Sequence, residues 1–107
     1  MLFRSYQRVL KLLEQTVGPD HPTLATTLNN LAVMYEAQDK YSEAEPLYQR
    51  ALTSIEHTMG PAHPNLAAAL DNYADLLRKM QREAEAETAE ARAKAIWAKQ
   101  KDQPAGK

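Results

Sequence analysis

Cysteine is absent from the chain, and glycine, phenylalanine and tryptophan are scarce, with three, one and one residues respectively. Without a thiol, disulfide bridges, cysteine nucleophiles and cysteine-ligated metal centres are all excluded. The charges nearly cancel, because 13 Lys and Arg residues stand against 14 Asp and Glu residues. Nucleic-acid binding and anionic-membrane binding both need a clustered excess of positive charge, so neither kind of partner is predicted.

Long apolar runs and catalytic motifs are missing as well. No stretch approaches the roughly 18 consecutive apolar residues that a membrane-spanning helix needs. The sequence has no Gly-rich phosphate loop, no His-Glu-x-x-His pair and no Ser or Cys in a recognisable nucleophile turn. We therefore predict a soluble protein that is not an enzyme and uses no cofactor or metal. The lack of cysteine fits a cytoplasmic location.

The dominant positive feature is an internal repeat with a period of 42 residues. Residues 18–52 and 60–94 are identical at 14 of 35 aligned positions, whereas chance would give roughly two or three. Each copy opens with Gly-Pro-x-His-Pro, as in Gly18 to Pro22 and Gly60 to Pro64. Ser5 to Leu10 also resembles Leu47 to Leu52, so the chain is about half a repeat followed by two whole repeats.

Each repeat is predicted to form two helices. Apolar residues step along one face at helical spacing, first through Leu24, Leu28 and Leu31 and then through Ala44, Leu47 and Ala51. Proline at the start of the first helix and glycine after the second provide the expected boundaries. The pattern predicts an all-α chain of about five antiparallel helices, near 2–17, 22–37, 41–58, 64–80 and 82–100.

The two histidines of the loops recur at the repeat period, between prolines. We interpret His21 and His63 as capping and turn residues. We identify no second ligand for either of them and the chain has no cysteine, so metal binding or catalysis by them is not predicted.

The recurring motifs resemble the 42-residue tetratricopeptide repeat of kinesin light chains. They include the Gly18 to Pro22 turn, Leu28-Asn29-Asn30-Leu31-Ala32, Tyr35, Tyr41, Ala44-Glu45, Leu47-Tyr48 and Arg50-Ala51-Leu52. The resemblance covers roughly residues 4 to 97 and implies a right-handed superhelix of antiparallel helix pairs. It also implies binding of a protein or peptide segment in a concave groove. Cargo transport is not implied, since the other parts of the light chain are absent.

The two ends differ from the central repeat. Tyr41, Tyr48 and Leu52 become Glu83, Glu90 and Lys94 in the second copy, as expected where a C-terminal repeat (60–101) caps the array. Residues 102–107 are predicted to form a disordered tail.

Residues 1–17, ahead of the repeat at 18–59, match the second helix of a repeat whose first helix is missing. The apolar residues of this N-terminal helix predict either a self-association face or truncation of a longer parent protein. The predicted contacts are Leu2, Phe3, Val9, Leu10 and Leu13.

The first helix of each pair lines the concave face in stacked repeats of this family. Its residues that packing does not use form the predicted groove: Thr26, Asn29, Asn30, Val33 and Glu36 from one repeat, and Ala68, Asp71, Asn72, Asp75, Arg78 and Lys79 from the next. The asparagines suit a peptide backbone, because a carboxamide both donates and accepts hydrogen bonds. They also suit hydrogen bonds between adjacent helices, and the sequence leaves both readings open.

The charges of this groove are mixed, and they favour neither an acidic nor a basic ligand. Asn29, Val33, Ala68 and Asn72 stand where relatives that clamp a terminal carboxylate have Lys and Arg. The sequence thus supports two hypotheses. The first is a scaffold that binds a protein segment in the groove, and the second is a module that dimerises through its N-terminal helix.

Overall fold

The computed structural model describes residues 2–16 and 22–102, which form helices joined by short turns. Five helices occupy this part of the chain: α1 (Leu2–Thr16), α2 (Pro22–Ala37), α3 (Tyr41–Met59), α4 (Pro64–Lys79) and α5 (Glu83–Asp102). The predicted all-α repeat fold is confirmed, and the helix bounds agree with the prediction to within two residues. The Gly18 to His21 turn and the tail from residue 103 lie outside the described residues. Within the described ranges, no helix is long and apolar enough to cross a membrane.

The turn between the two repeats combines a glycine, two prolines and a histidine cap. Gly60 ends α3 with φ 98° and ψ 164°, and its N–H donates to the carbonyl of Glu56 at 3.1 Å. We predicted a left-handed helical residue here; the positive φ is present, but ψ is extended, a combination essentially restricted to glycine. At the start of α4, His63 accepts a hydrogen bond from the N–H of Asn65 through Nδ1 at 3.0 Å. His63 is therefore a cap, as its position between prolines predicted.

Equivalent turns join the two helices of each repeat. Asp39 and Gln81 stand 42 residues apart and both adopt a φ of 61°. Asp39 tolerates this left-handed conformation better than Gln81 does, because short polar side chains can hydrogen-bond locally. In the first repeat, the hydroxyl of Tyr41 donates to the Asp39 carboxylate at 3.1 Å.

Small residues let the helices of each repeat approach closely. Ala32 of α2 and Ala44 of α3 are fully buried and share a cluster with Tyr48 and Leu76. Their equivalents in the second repeat, Ala74 and Ala86, are equally buried. A larger core cluster joins the two repeats through side chains of α3, α4 and α5. This packing positions α2 and α4 side by side on one face of the array.

Polar contacts also tie the repeats to each other. Glu45 of α3 accepts hydrogen bonds from the hydroxyl of Tyr73 and from Arg82, each at 2.8 Å. The Arg82 guanidinium, and then the Tyr73 hydroxyl, hold the pKa of the Glu45 carboxyl below its usual value against the effect of burial. A second ion pair joins Arg92 of α5 to Glu56 of α3 at 2.6 Å. The relative placement of α2 and α4 is therefore fixed by specific contacts on their neighbours.

Candidate functional site

Two cavities follow one another along the face shared by α2 and α4. The first has a volume of about 190 Å³ and lies between the N-terminal halves of these helices. Its lining comprises Ala25, Thr26, Asn29, Ile55, Met59, Asn65, Ala68 and Ala69. The second has a volume of about 220 Å³ and lies between the C-terminal halves, lined by Val33, Glu36, Ala37, Tyr48, Asn72, Asp75 and Lys79. We call them the amide cavity and the carboxylate cavity.

Eight of the eleven predicted groove residues line these two cavities. Thr26, Asn29 and Ala68 border the amide cavity, and the other five border the carboxylate cavity. The prediction combined helical spacing with the resemblance to stacked repeats, and the structure brings together these residues from two separate helices.

The amide cavity contains an acceptor with an unused hydrogen-bonding capacity. The Asn29 Oδ1 atom is buried and has no hydrogen-bond partner within the described part of the chain. Across the cavity, Nδ2 of Asn65 donates to the sulfur of Met59 at 3.3 Å. Thioether sulfur is a weak acceptor, so both carboxamides keep capacity for a better partner. Asn65 was not among the predicted groove residues, although it lies one turn before Ala68 on the same face of α4.

The carboxylate cavity is organised around a buried glutamate. Glu36 is only 7% exposed, although the sequence suggested a residue at the groove surface. Its Oε1 accepts a hydrogen bond from the hydroxyl of Tyr48 at 2.8 Å, and its Oε2 pairs with Nζ of Lys79 at 2.9 Å. Burial, together with the neighbouring Glu36 carboxylate, raises the pKa of the Tyr48 phenol. Tyr48, predicted only as core, thus also shapes the groove.

Three predicted groove residues lie elsewhere on α2 and α4. Asn30 is half-buried and does not line either cavity. Asp71 is exposed and accepts a hydrogen bond from the indole N–H of Trp97 at 3.2 Å. Arg78 turns away to α5, where it binds Glu90 through both terminal nitrogens, at 2.6 Å for Nη1, and Glu83 through Nε at 3.0 Å.

Removing Arg78 from the groove changes the charge that the groove presents. The ionisable residues that line the cavities are Glu36, Asp75 and Lys79, since Asp71 borders neither of them. Two carboxylates therefore face one ammonium. The prediction from the sequence counted Arg78 among the groove residues and therefore favoured neither an acidic nor a basic ligand.

The predicted self-association residues separate into two groups. Leu10 and Leu13 are half-buried and pack against the cluster of Leu24, Leu28 and Ala51. Val9 is 43% exposed, and Leu12, which was not predicted, is 59% exposed. The side chains of Leu2 and Phe3 lie outside the part of the chain that the structure describes.

The family is decided by a match over nearly the whole chain. The tetratricopeptide repeat family matches residues 3–57 and, in a second overlapping match, residues 23–99. The chain belongs to the tetratricopeptide repeat family. The predicted membership of the tetratricopeptide repeat family is thereby confirmed. Tetratricopeptide repeats generally mediate protein–protein interaction and form a non-catalytic family.

The fold is similar to that of a protein whose structure has been solved. The crystal structure of BtubC (BKLC) from P. vanneervenii superposes with a TM-score of 0.81 at 24% sequence identity. The match covers 95% of this tetratricopeptide repeat chain but only 41% of BtubC, so the chain spans less than half the length of that protein. No curated protein sequence matches the chain significantly.

Proposed function

We propose that the chain is a scaffold that holds an extended segment of a partner protein along the groove formed by α2 and α4. The observation that carries this proposal is the pair of successive cavities on one face, which together contain eight groove residues. Small and polar side chains line much of them, which leaves room for a peptide backbone. The unused acceptor of Asn29 gives one specific point at which a backbone N–H would be satisfied.

The arrangement suits a segment in an extended conformation. The two cavities follow one another along the helices, so alternate side chains of a bound strand would enter one cavity and then the next. Asn29 in the amide cavity and Asn72 in the carboxylate cavity would then hydrogen-bond the backbone between them. Such bonds recognise a peptide without selecting its side chains, and the cavities supply the selection.

A peptide library displayed on phage tests the groove without knowledge of the natural partner. Clones selected on the wild-type chain are measured again on Asn29→Ala/Asn72→Ala. Two hydrogen bonds contribute about 0.5–1.5 kcal/mol each, so we expect affinity to fall by about tenfold with unchanged helicity. Thr53→Ala, an exposed threonine of α3, is the control and should bind as the wild type does. Full binding by the double variant would remove the groove from consideration.

A second function, self-association through α1, is favoured by the exposure of Val9 and Leu12. Shifted by one repeat, Val9 corresponds to Ala51 and Leu12 to Ser54, which are 0% and 4% exposed. Ala51 and Ser54 belong to α3, which packs against α2 of its own repeat. Two positions that are buried in a complete repeat are therefore exposed on α1.

Light scattering over a wide concentration range tests this second function. Association through α1 would raise the mass above 12.0 kDa, and Val9→Lys/Leu12→Lys should return it to the monomer value while preserving helicity. Val33→Lys is the matched control, because Val33 is 42% exposed but lies in the groove. A monomeric wild type at every concentration would contradict self-association and leave the groove proposal intact. Substitution of Leu10 or Leu13 is unsuitable here, since both pack inside the monomer.

A further inference from the structure

The carboxylate cavity combines the apolar and acidic lining residues that a long cationic side chain requires. Val33, Ala37 and the Tyr48 ring supply its apolar surface, while Glu36 and Asp75 supply two carboxylates. Lysine and arginine side chains combine an aliphatic stem with a charged head, so they match a cavity that is apolar along its side and acidic at its end. Its volume of about 220 Å³ also leaves room for a side chain beyond those that line it.

The buried carboxylate is held in position before any ligand arrives. The Tyr48 hydroxyl fixes Oε1 of Glu36 at 2.8 Å, and this leaves Oε2 directed to the cavity. A carboxylate that is 7% exposed has lost most of its water, so its interaction with a cation is stronger than that of a surface carboxylate. The cost of ordering Glu36 has therefore already been met by folding.

The chain itself shows which charge the cavity accepts. The ammonium of Lys79 lies 2.9 Å from Glu36 and 3.4 Å from Asp75, bridging the two carboxylates. The Lys79 side chain remains 45% exposed, so its ammonium can be hydrated outside once another cation takes its place on Glu36. With Arg78 bound to Glu83 and Glu90, Lys79 is the remaining Lys or Arg residue in the described helices α2 and α4.

We propose that the carboxylate cavity binds a lysine or arginine side chain of the partner segment, whose charged head takes the place of Lys79 on Glu36 and Asp75. This inference rests on the proposed groove function and names the chemistry that the groove selects. Arginine fits best, because one planar guanidinium presents separate N–H groups to two carboxylates at once. The partner is therefore a basic segment in extended conformation.

Three synthetic peptides test the charge selection directly. They share one neutral Ser/Ala sequence and differ only at a central position, which is Arg, Gln or Glu. Titration of the isotope-labelled chain by NMR gives both the affinity and the amides that shift. We expect the Arg peptide to bind about fivefold more tightly than the Gln peptide, with shifts at Asn72, Asp75 and Lys79 and with weakening by added salt. The Glu peptide should bind least.

Two substitutions separate a site for a cation from a site for an anion. Lys79→Met removes the internal competitor and should tighten binding of the Arg peptide by about threefold, whereas Asp75→Asn should weaken it by about threefold. Lys94→Met, at an exposed lysine of α5, removes the same charge away from the groove and should change affinity little. Glu36→Gln should weaken binding more than Asp75→Asn does. The exposed Asp75 keeps the test valid if the Glu36 variant is unstable.

The outcomes distinguish this inference from the function on which it rests. Equal affinity for the three peptides, with groove amides shifted, would overturn the charge selection and leave the groove function standing. Preference for the Glu peptide, lost in Lys79→Met, would overturn the inference by making Lys79 the ligand-binding group. Shifts that avoid α2 and α4 altogether would overturn both.

Discussion

Replacing Tyr48 by Phe should destabilise the fold by an amount that reports on the buried Glu36. The substitution keeps the ring, which is 1% exposed, and removes only the hydroxyl that donates to Glu36 at 2.8 Å. Hydrogen bonds to charged groups contribute about 1.5–3 kcal/mol. Glu36 keeps Lys79 and lines the groove cavity, so water can reach the freed oxygen. We therefore expect a loss near the lower end, about 1.5 kcal/mol.

Urea unfolding followed by circular dichroism measures this loss. In thermal unfolding of a chain of about this size, a loss of 1.5 kcal/mol corresponds to a fall in Tm of about 6–12 °C. Tyr41→Phe is the matched control, because its hydroxyl bonds Asp39 at the surface, and it should leave stability nearly unchanged. A double-mutant cycle with Glu36→Gln isolates the coupling between the two side chains. A Tyr48→Phe variant within about 0.5 kcal/mol of the wild type would refute the reasoning, since surface substitutions alone reach that value.

The same variant changes how stability depends on alkaline pH. Burial raises the pKa of the Tyr48 phenol above the value of 10.0 that applies in the unfolded chain. Above pH 10, the unfolded state therefore loses the phenol proton while the folded state keeps it, and stability falls as pH rises. One such group contributes a slope of about 1.4 kcal/mol per pH unit. We expect Tyr48→Phe to lose stability less steeply above pH 10 than the wild type does. Parallel profiles would contradict the assignment.

Four further substitutions test the packing and the turns by urea unfolding. Gly60→Ala should cost about 1–3 kcal/mol from backbone strain alone, because an added Cβ would meet no atom within 4 Å. Gln81→Gly should stabilise the fold by about 0.5–1 kcal/mol, because glycine relieves the strain of the positive φ. Asp39→Gly should be nearly neutral, because aspartate already tolerates that φ. Equal effects of the two substitutions would contradict this account. Ala32→Leu should overpack the fully buried contact between α2 and α3 and cost about 1–3 kcal/mol, and an unchanged midpoint would show that the contact is loose.

Features that depend on periodicity were predictable from the sequence. The 42-residue offset places Ala32 with Ala74 and Ala44 with Ala86, and all four are buried. Proline and glycine predicted the helix bounds, and helical spacing together with the resemblance to stacked repeats predicted most of the residues that line the groove. These are properties of one helix at a time.

Features that depend on the partner of a long side chain were not predictable in the same way. Glu36 and Arg78 occupy equivalent positions at the exposed edge of their helices, and periodicity places both in the groove. The structure buries Glu36 beneath Tyr48 and Lys79 and draws Arg78 to α5. A flexible side chain reaches several neighbours, so its destination depends on which opposite charge the adjacent helix offers. The net charge of the groove therefore depends on whether Arg78 pairs with α5 or points into the groove.

The repeat nevertheless contains a signal for this contact, in two mismatches that compensate each other. Glu36 pairs with Tyr48, and Arg78 pairs with Glu90, at the same separation of 12 residues and at equivalent positions of the two repeats. Taken singly, the change from Tyr48 to Glu90 suggests only that an apolar position becomes polar at the end of an array. Taken together, the two changes move the carboxylate from the first helix to the second and place a hydrogen-bond donor opposite it in both cases. A pair of positions that exchanges its chemistry and keeps its complementarity is a pair in contact. An internal repeat therefore allows side-chain contacts to be inferred from one sequence, provided that its mismatches are compared in pairs across the two helices and not one position at a time.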